Sequence, residues 1–229
     1  MTLEICVNSY QSALNAEAAG AQRIELCTEL SVGGLTPSYG ELQHTIKALS
    51  IPVYVLIRPR SGDFCYSEEE FEVMKTNIGL CRAVGASGIV SGVLNKDRTL
   101  DTSRIQELMN LAKSLDFTFH RAFDEVIDPF QALEQLIELG VKRILTSGQK
   151  LKAEDGLELL EALVQQADGR IGIMAGSGIT AQNVAKFKAI GITEVHASAS
   201  VPVDQNSDLF AVPQSISHPQ KIKDLLNAL

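Results

Sequence analysis

The chain has 229 residues, 45% of them hydrophobic and 21% charged, with a net charge of −8. That balance allows a large core inside an ordinary globular surface, and it argues against nucleic acid or an anionic membrane as the main partner. No run approaches the roughly 18 apolar residues of a membrane span.

The N-terminus lacks a basic-then-apolar export signal, so a cytoplasmic location is expected. Cys6, Cys27, Cys65 and Cys81 are then reduced thiols. None is spaced Cys-x-x-Cys, which sets aside zinc knuckles and thioredoxin-type sites.

In chain order, the first strand, 3–7, reads Leu-Glu-Ile-Cys-Val. Residues two apart share a strand face, so Glu4 and Cys6 point the same way. A helical stretch over 9–19 leads to a second strand, 23–27, which repeats the pattern with Glu25 and Cys27. Helical spacing at 37–48 precedes strand 53–58, whose end carries Arg58-Pro59-Arg60. Ser67 and Glu70 form a capping-box signature for a helix over 68–83. Strand 88–93, helix 102–114 and strand 116–121 follow, the last ending at His120-Arg121. Asp128-Pro129 is an N-cap with proline at the first helical position, opening a helix over 129–138. Strand 143–147 ends at Thr146-Ser147, and helix 154–166 leads to strand 171–175 and the turn Gly176-Ser177-Gly178. Helix 180–189 precedes strand 194–198, with His196 and Ser198 near its end. An irregular segment, 201–216, and a C-terminal helix, 218–228, complete the chain.

Strictly alternating strands and helices predict a parallel sheet covered by helices. A repeated spacing indicates that the sheet closes. Gly20, Gly85, Gly140 and Gly191 each end a helical run, and each is followed four residues later by Ile24, Ile89, Ile144 or Val195. These glycines precede every second strand, as four equal quarters would require. The expected fold is α/β, a single-domain (β/α)8 TIM barrel over residues 1–229. Five residues beyond the glycines lie Glu25, Val90, Leu145 and His196; seven beyond lie Cys27, Gly92, Ser147 and Ser198. Alternate strands of a barrel fill the same interior layer. The first set is therefore predicted to share an inward layer, with the second at the mouth above it.

The strand ends gather the candidate chemistry. His120 and His196, beside Glu4 and Glu25, are candidates for acid–base catalysis, metal ligation or structural burial. Arg58 and Arg60 are expected either to pair with those acids or to bind an anion. The Gly176-Ser177-Gly178 turn, with Ser147 and Ser198, sits where barrels often bind phosphate. Cys6 and Cys27 end adjacent strands about 4.8 Å apart, within reach of one soft ion such as Cu(I) or Zn. Cys65 is a candidate third sulfur. His44 and His218 are expected at the surface, and Cys81 in packing.

The chain resembles the CutC family of copper-homeostasis proteins. The resemblance rests on Ala19-Gly20-Ala21 with Arg23-Ile24-Glu25-Leu26-Cys27, Gly33-Gly34-Leu35-Thr36-Pro37-Ser38 and Ile57-Arg58-Pro59-Arg60. It continues through Gly62-Asp63-Phe64, Tyr66-Ser67, Phe119-His120-Arg121-Ala122-Phe123-Asp124, Arg143-Ile144-Leu145-Thr146-Ser147-Gly148 and Glu194-Val195-His196. It implies a TIM barrel, a cytoplasmic location and copper binding with Cys6 and Cys27 as ligands. Some relatives carry a second cysteine after the first, where this chain has Val7. Two functions are therefore expected to compete. One is Cu(I) binding through Cys6 and Cys27. The other is catalysis on a small anionic or phosphorylated metabolite, with Glu25 and His196 exchanging protons. A homo-oligomer, with 201–216 as a subunit contact or lid, is compatible with either.

Overall fold

A computed structural model of the protein describes residues 1–203 and 214–229. Eight parallel strands close in sequence order into a barrel. They are β1 (Thr2–Val7), β2 (Arg23–Leu26), β3 (Val53–Leu56), β4 (Gly88–Ser91), β5 (Asp116–Phe119), β6 (Arg143–Thr146), β7 (Gly172–Gly176) and β8 (Glu194–Ala197). The helices are α1 (Tyr10–Ala18), α2 (Tyr39–Ala48), α3 (Glu68–Val84), α4 (Thr102–Ala112), α5 (Pro129–Leu139), α6 (Leu157–Ala167), α7 (Val184–Ala189) and α8 (Pro219–Ala228). The fold is the predicted TIM barrel.

Local chemistry starts and stops these elements where the sequence places its signals. Ser67 and Glu70 form the reciprocal capping box of α3, and the Asp128 carboxylate accepts the Phe130 and Gln131 amides ahead of Pro129. The four repeated glycines all hold positive φ, between 81° and 96°. A side chain would be strained in that conformation, so glycine both ends each helix and turns the chain into the next strand.

Three segments depart from expectation. The polypeptide leaves β5 at Phe119 and winds into a short 3-10 turn over Arg121–Glu125, because the His120 imidazole accepts the Ala122 amide. Helix α7 begins at Val184, four residues later than expected, because the Asn183 side chain ties down the Thr180 amide and Gly178 carbonyl beforehand. The segment expected to be irregular instead contains two strands, β9 (Ser200–Val203) and β10 (Gln214–Ser217), paired antiparallel. The rest of 201–216 lies outside the described residues.

The core has two parts. Outward-facing strand residues such as Leu3, Ile5, Ile24 and Leu26 are fully buried with Phe119, Phe123 and Phe187 in the layer under the helices. Buried on both faces, parallel strands normally read as apolar runs. The inward face of this barrel is different. Arg23 reaches both Glu4 and Glu194, while Arg143 reaches Glu194 at 3.1 Å and Asp116 at 3.3 Å. Tyr54 donates its hydroxyl to Asp116 at 2.6 Å, and its ring lies under both guanidinium groups, with centroid distances of 4.9 and 5.0 Å. Gly88 makes room for that ring: a Cβ there would sit 1.9 Å from Tyr54.

A buried ion network tolerates the loss of one partner poorly, because the others remain charged without compensation. Arg23→Met is expected to destabilise the protein by about 3–5 kcal/mol. Urea denaturation at neutral pH measures the loss, and a change within the range of an ordinary surface substitution would contradict it.

Candidate functional site

The C-terminal ends of the strands open into a cavity of about 1000 Å³, the end at which barrel proteins bind and react. Its deepest corner is built by β1, β2 and β8. The parallel register sets Cys6 opposite Glu25 and Glu4 opposite His196. Because alternate residues face inward, Glu4, Cys6, Glu25, Cys27 and His196 converge.

The Cys6 and Cys27 sulfurs are 3.6 Å apart. The Cys6 thiol donates to Glu25 Oε2 at 3.3 Å, and the Cys27 thiol donates to the Val7 carbonyl at 3.5 Å. His196 Nδ1 lies 2.8 Å from Glu4 Oε1, and its Nε2 lies 3.7 Å from Glu25 Oε2. Donor atoms of Cys6, Glu25 and His196 all lie within 4.8 Å of one another, close enough to share one metal ion. Cys6, Glu25 and His196 line the cavity, whereas Glu4 and Cys27 are fully buried behind them.

Burial alone would favour a neutral Glu4, but the His196 hydrogen bond and the Arg23 charge overcome it and hold the carboxyl at about 2. Burial pushes Glu25 up from the ordinary carboxylate range, against the pull of His196. Burial also opposes charge on His196, yet hydrogen bonds to Cys6 and Glu4 and the charge of Glu25 raise it well above an ordinary histidine. Cys27 beside it, and then burial, push the Cys6 thiol up. The two glutamates are thus driven in opposite directions by their neighbours.

Other predicted residues take different places. Arg58 and Arg60 pair with neither Glu4 nor Glu25, because Arg58 ties the β2–α2 loop to the β3–α3 loop and Arg60 is used between the β3–α3 loop and the first turn of α3. Arg58 donates to the carbonyls of Val32, Gly34 and Gly62, and Arg60 to Glu70 and Asp63. The acids instead meet Arg23, at the start of β2, which reading only the strand ends overlooks.

Ser147 is buried away from the cavity. Its hydroxyl lies between Asp124 and the Lys150 carbonyl, and Asp124 also accepts Thr146 and the amides of Ser147 and Gln149. Ser198 faces the cavity, 3.2 Å from the Ser200 hydroxyl. The Gly176 Cα lies against Leu145 and His196. Ser177 and Gly178 line the cavity, with the Ser177 hydroxyl donating to the Leu151 carbonyl at 2.6 Å. The short, late α7 leaves this turn without the helix N-terminus expected there.

Cys65 lies half-buried in the β3–α3 loop, outside the Cys6, Glu25 and His196 cluster. Cys81 packs under α3, and His44 and His218 are exposed. His120 lines the cavity on the wall opposite the cysteines. Among the described residues no helix is long and apolar enough to cross a membrane.

Fold and site together define a (β/α)8 barrel with a thiol, carboxylate and imidazole cluster at the floor of its C-terminal cavity. The chain belongs to the CutC family, whose pattern matches residues 1–201. It is 54% identical over 198 residues to the family protein CutC of Photorhabdus laumondii, covering 86% of this chain and 79% of that protein. It is 50% identical over 198 residues to the human copper homeostasis protein cutC homolog, covering 86% and 72%. The crystal structure of CutC from Streptococcus agalactiae superposes with a TM-score of 0.83 at 32% identity, over 86% of this chain and 98% of that one. Thiamine phosphate pyrophosphorylase from Pyrococcus furiosus, at 14% identity and a TM-score of 0.63, shares the fold alone.

His120 yields a pH prediction. Burial, and then the Arg58 charge, lower it from 6.5 to about 3. The unfolded chain therefore binds a proton that the native state refuses between those values. Stability from this group is fully present above 6.5 and is lost as pH falls toward 3, at no more than about 1.4 kcal/mol per pH unit. Denaturant titrations at pH 7 and pH 5 should show a shallower acid loss for His120→Asn than for the parent. Identical slopes would contradict the assignment.

Proposed function

We propose that the chain takes part in copper homeostasis in the cytoplasm and binds Cu(I) through Cys6 and Cys27. The observation that carries this reading is the 3.6 Å separation of the two sulfurs. Two metal–thiolate bonds of roughly 2.3 Å each can span such a gap with little movement. The donor set fits the ion, since soft thiolates select Cu(I), whereas magnesium or manganese would call for oxygen ligands. Cys27 is fully buried and Cys6 almost so, so the thiols sit in a recess shielded from bulk solvent. Copper is the cargo in this reading.

Glu25 and His196 flank the cargo. Glu25 accepts the Cys6 thiol and fixes its rotamer, and Glu4 fixes the His196 ring from behind. Groups that orient ligands in this way typically govern 10–100-fold of affinity. The names of the human and streptococcal relatives support the copper assignment.

Anaerobic competition for Cu(I) against a chromophoric chelator tests the reading. Cys6→Ser and Cys27→Ser are each expected to lose more affinity than Glu25→Gln, whose loss should fall in the roughly 10–100-fold range. A Cys6→Ser/Cys27→Ser double variant that binds Cu(I) like the parent would overturn the proposal.

A further inference from the structure

The wall of the cavity formed at the ends of β3 and β5 contains a second set of unusual groups. Arg58 is only 6% exposed, yet its guanidinium meets no carboxylate among the described residues. Its terminal nitrogens are taken by three backbone carbonyls, and its Nε–H has no partner. The Phe64 ring lies over it at 5.1 Å. That ring also contacts the imidazole of His120, with a centroid separation of 4.8 Å.

His120 is 4% exposed, and its Nδ1 accepts the Ala122 amide. The neutral ring therefore carries its proton on Nε2, and Nε2 too is buried without a partner. A Cβ on Gly92 would collide with this imidazole at 2.7 Å, so glycine on β4 makes the space that the ring fills. Arg58, Phe64 and His120 all line the cavity.

Four buried side-chain polar atoms lack partners among the described residues: Arg58 Nε, His120 Nε2, Tyr66 Oη and Thr45 Oγ1. The first two share one wall, and Tyr66 follows Phe64 by two residues in the loop that forms it. Unpaired buried donors are costly and uncommon, and a buried charge without a counter-charge is more costly still. The nearby Arg58 charge helps keep His120 neutral, and so a donor through Nε2.

We propose that Arg58, Phe64 and His120 form a binding subsite for a small organic monocarboxylate, distinct from the cysteine cluster. Its carboxylate accepts from Arg58 Nε–H and His120 Nε2–H, and its apolar body lies against Phe64. One negative charge matches the buried, uncompensated charge of Arg58, and two free N–H groups match the two oxygens of a carboxylate. A phosphate dianion would bring a third oxygen that these two buried donors do not meet, and would be drawn instead to the Arg121, Lys150 and Lys221 side chains elsewhere on the cavity lining. The cavity, at about 1000 Å³, has room for an organic molecule, whereas a lone copper ion requires only the corner at Cys6 and Cys27. This inference stands whether or not copper binds.

Benzoate serves as the probe, titrated into the full chain at constant ionic strength by calorimetry, with the His120 side-chain resonance followed by NMR. Saturable binding that perturbs His120 is expected, weaker by roughly tenfold or more in Arg58→Lys and in His120→Phe, each of which removes one donor to the anion. Arg58 also anchors its own loop, so circular dichroism checks each fold, and His120→Phe carries the test if Arg58→Lys is unfolded. Cys6→Ser/Cys27→Ser should bind benzoate like the parent, which separates this result from the copper reading. The proposal is overturned if benzoate does not saturate or leaves His120 undisturbed. It is equally overturned if inorganic phosphate binds more tightly, or if a crystal grown with benzoate shows only a water between Arg58 and His120.

Discussion

Arg23 holds the barrel interior together. Its guanidinium bridges Glu4 on β1 and Glu194 on β8, the two strands that join the ends of the sheet. Glu194 continues to Arg143 and from there to Asp116 and Tyr54, so one chain of ion pairs crosses the interior. Inside this ring there are three carboxylates and two guanidinium groups. His196, raised by its neighbours and bonded to Glu4, supplies the third positive charge. The closure of the barrel and the protonation of its upper site are therefore one electrostatic problem.

That network also sets the geometry above it. Glu4 is gripped from below by Arg23, and it grips His196 in turn. His196 and the Cys6 thiol then bracket Glu25, which burial pushes toward the neutral form. Each layer orients the next, so the thiol pair at the floor of the cavity inherits its position from arginines beneath it. Two glutamates with nearly identical sequence settings, Glu-Ile-Cys and Glu-Leu-Cys, are separated in behaviour by this stacking alone.

Much of the architecture was legible because it depends on local or periodic signals. The repeated glycines mark turns where only positive φ lets a helix end and a strand begin, and their spacing reported the closed sheet. The same count placed Glu25 and His196 on one level, and their side chains do meet. The count failed at Cys27, which is fully buried behind the cavity floor rather than at the mouth, and at Ser147, where the tight turn after β6 redirects the hydroxyl toward Asp124. It was also silent on Arg23 and Arg143, since arginines opening strands look like ordinary solvated ends. Nothing local in the sequence shows that the barrel closes over them. The pairing of β9 with β10 went unread because its residues, Ser200–Val203 and Gln214–Ser217, lack clean alternation.

The sequence by itself determined the order of elements, the closed barrel and the arrival of two Glu-x-Cys pairs on neighbouring strands, because period-two faces and glycine turns act over a few residues. Only the tertiary structure decided which charges neutralise which. It turned Arg58 onto carbonyls of two neighbouring loops and Arg60 onto Asp63 and Glu70, gave Glu4 to Arg23 and His196, and brought the two sulfurs to 3.6 Å. The physical reason is that electrostatic and hydrogen-bond partners are chosen by distance in a water-poor interior, and those distances exist only once all eight strands have closed.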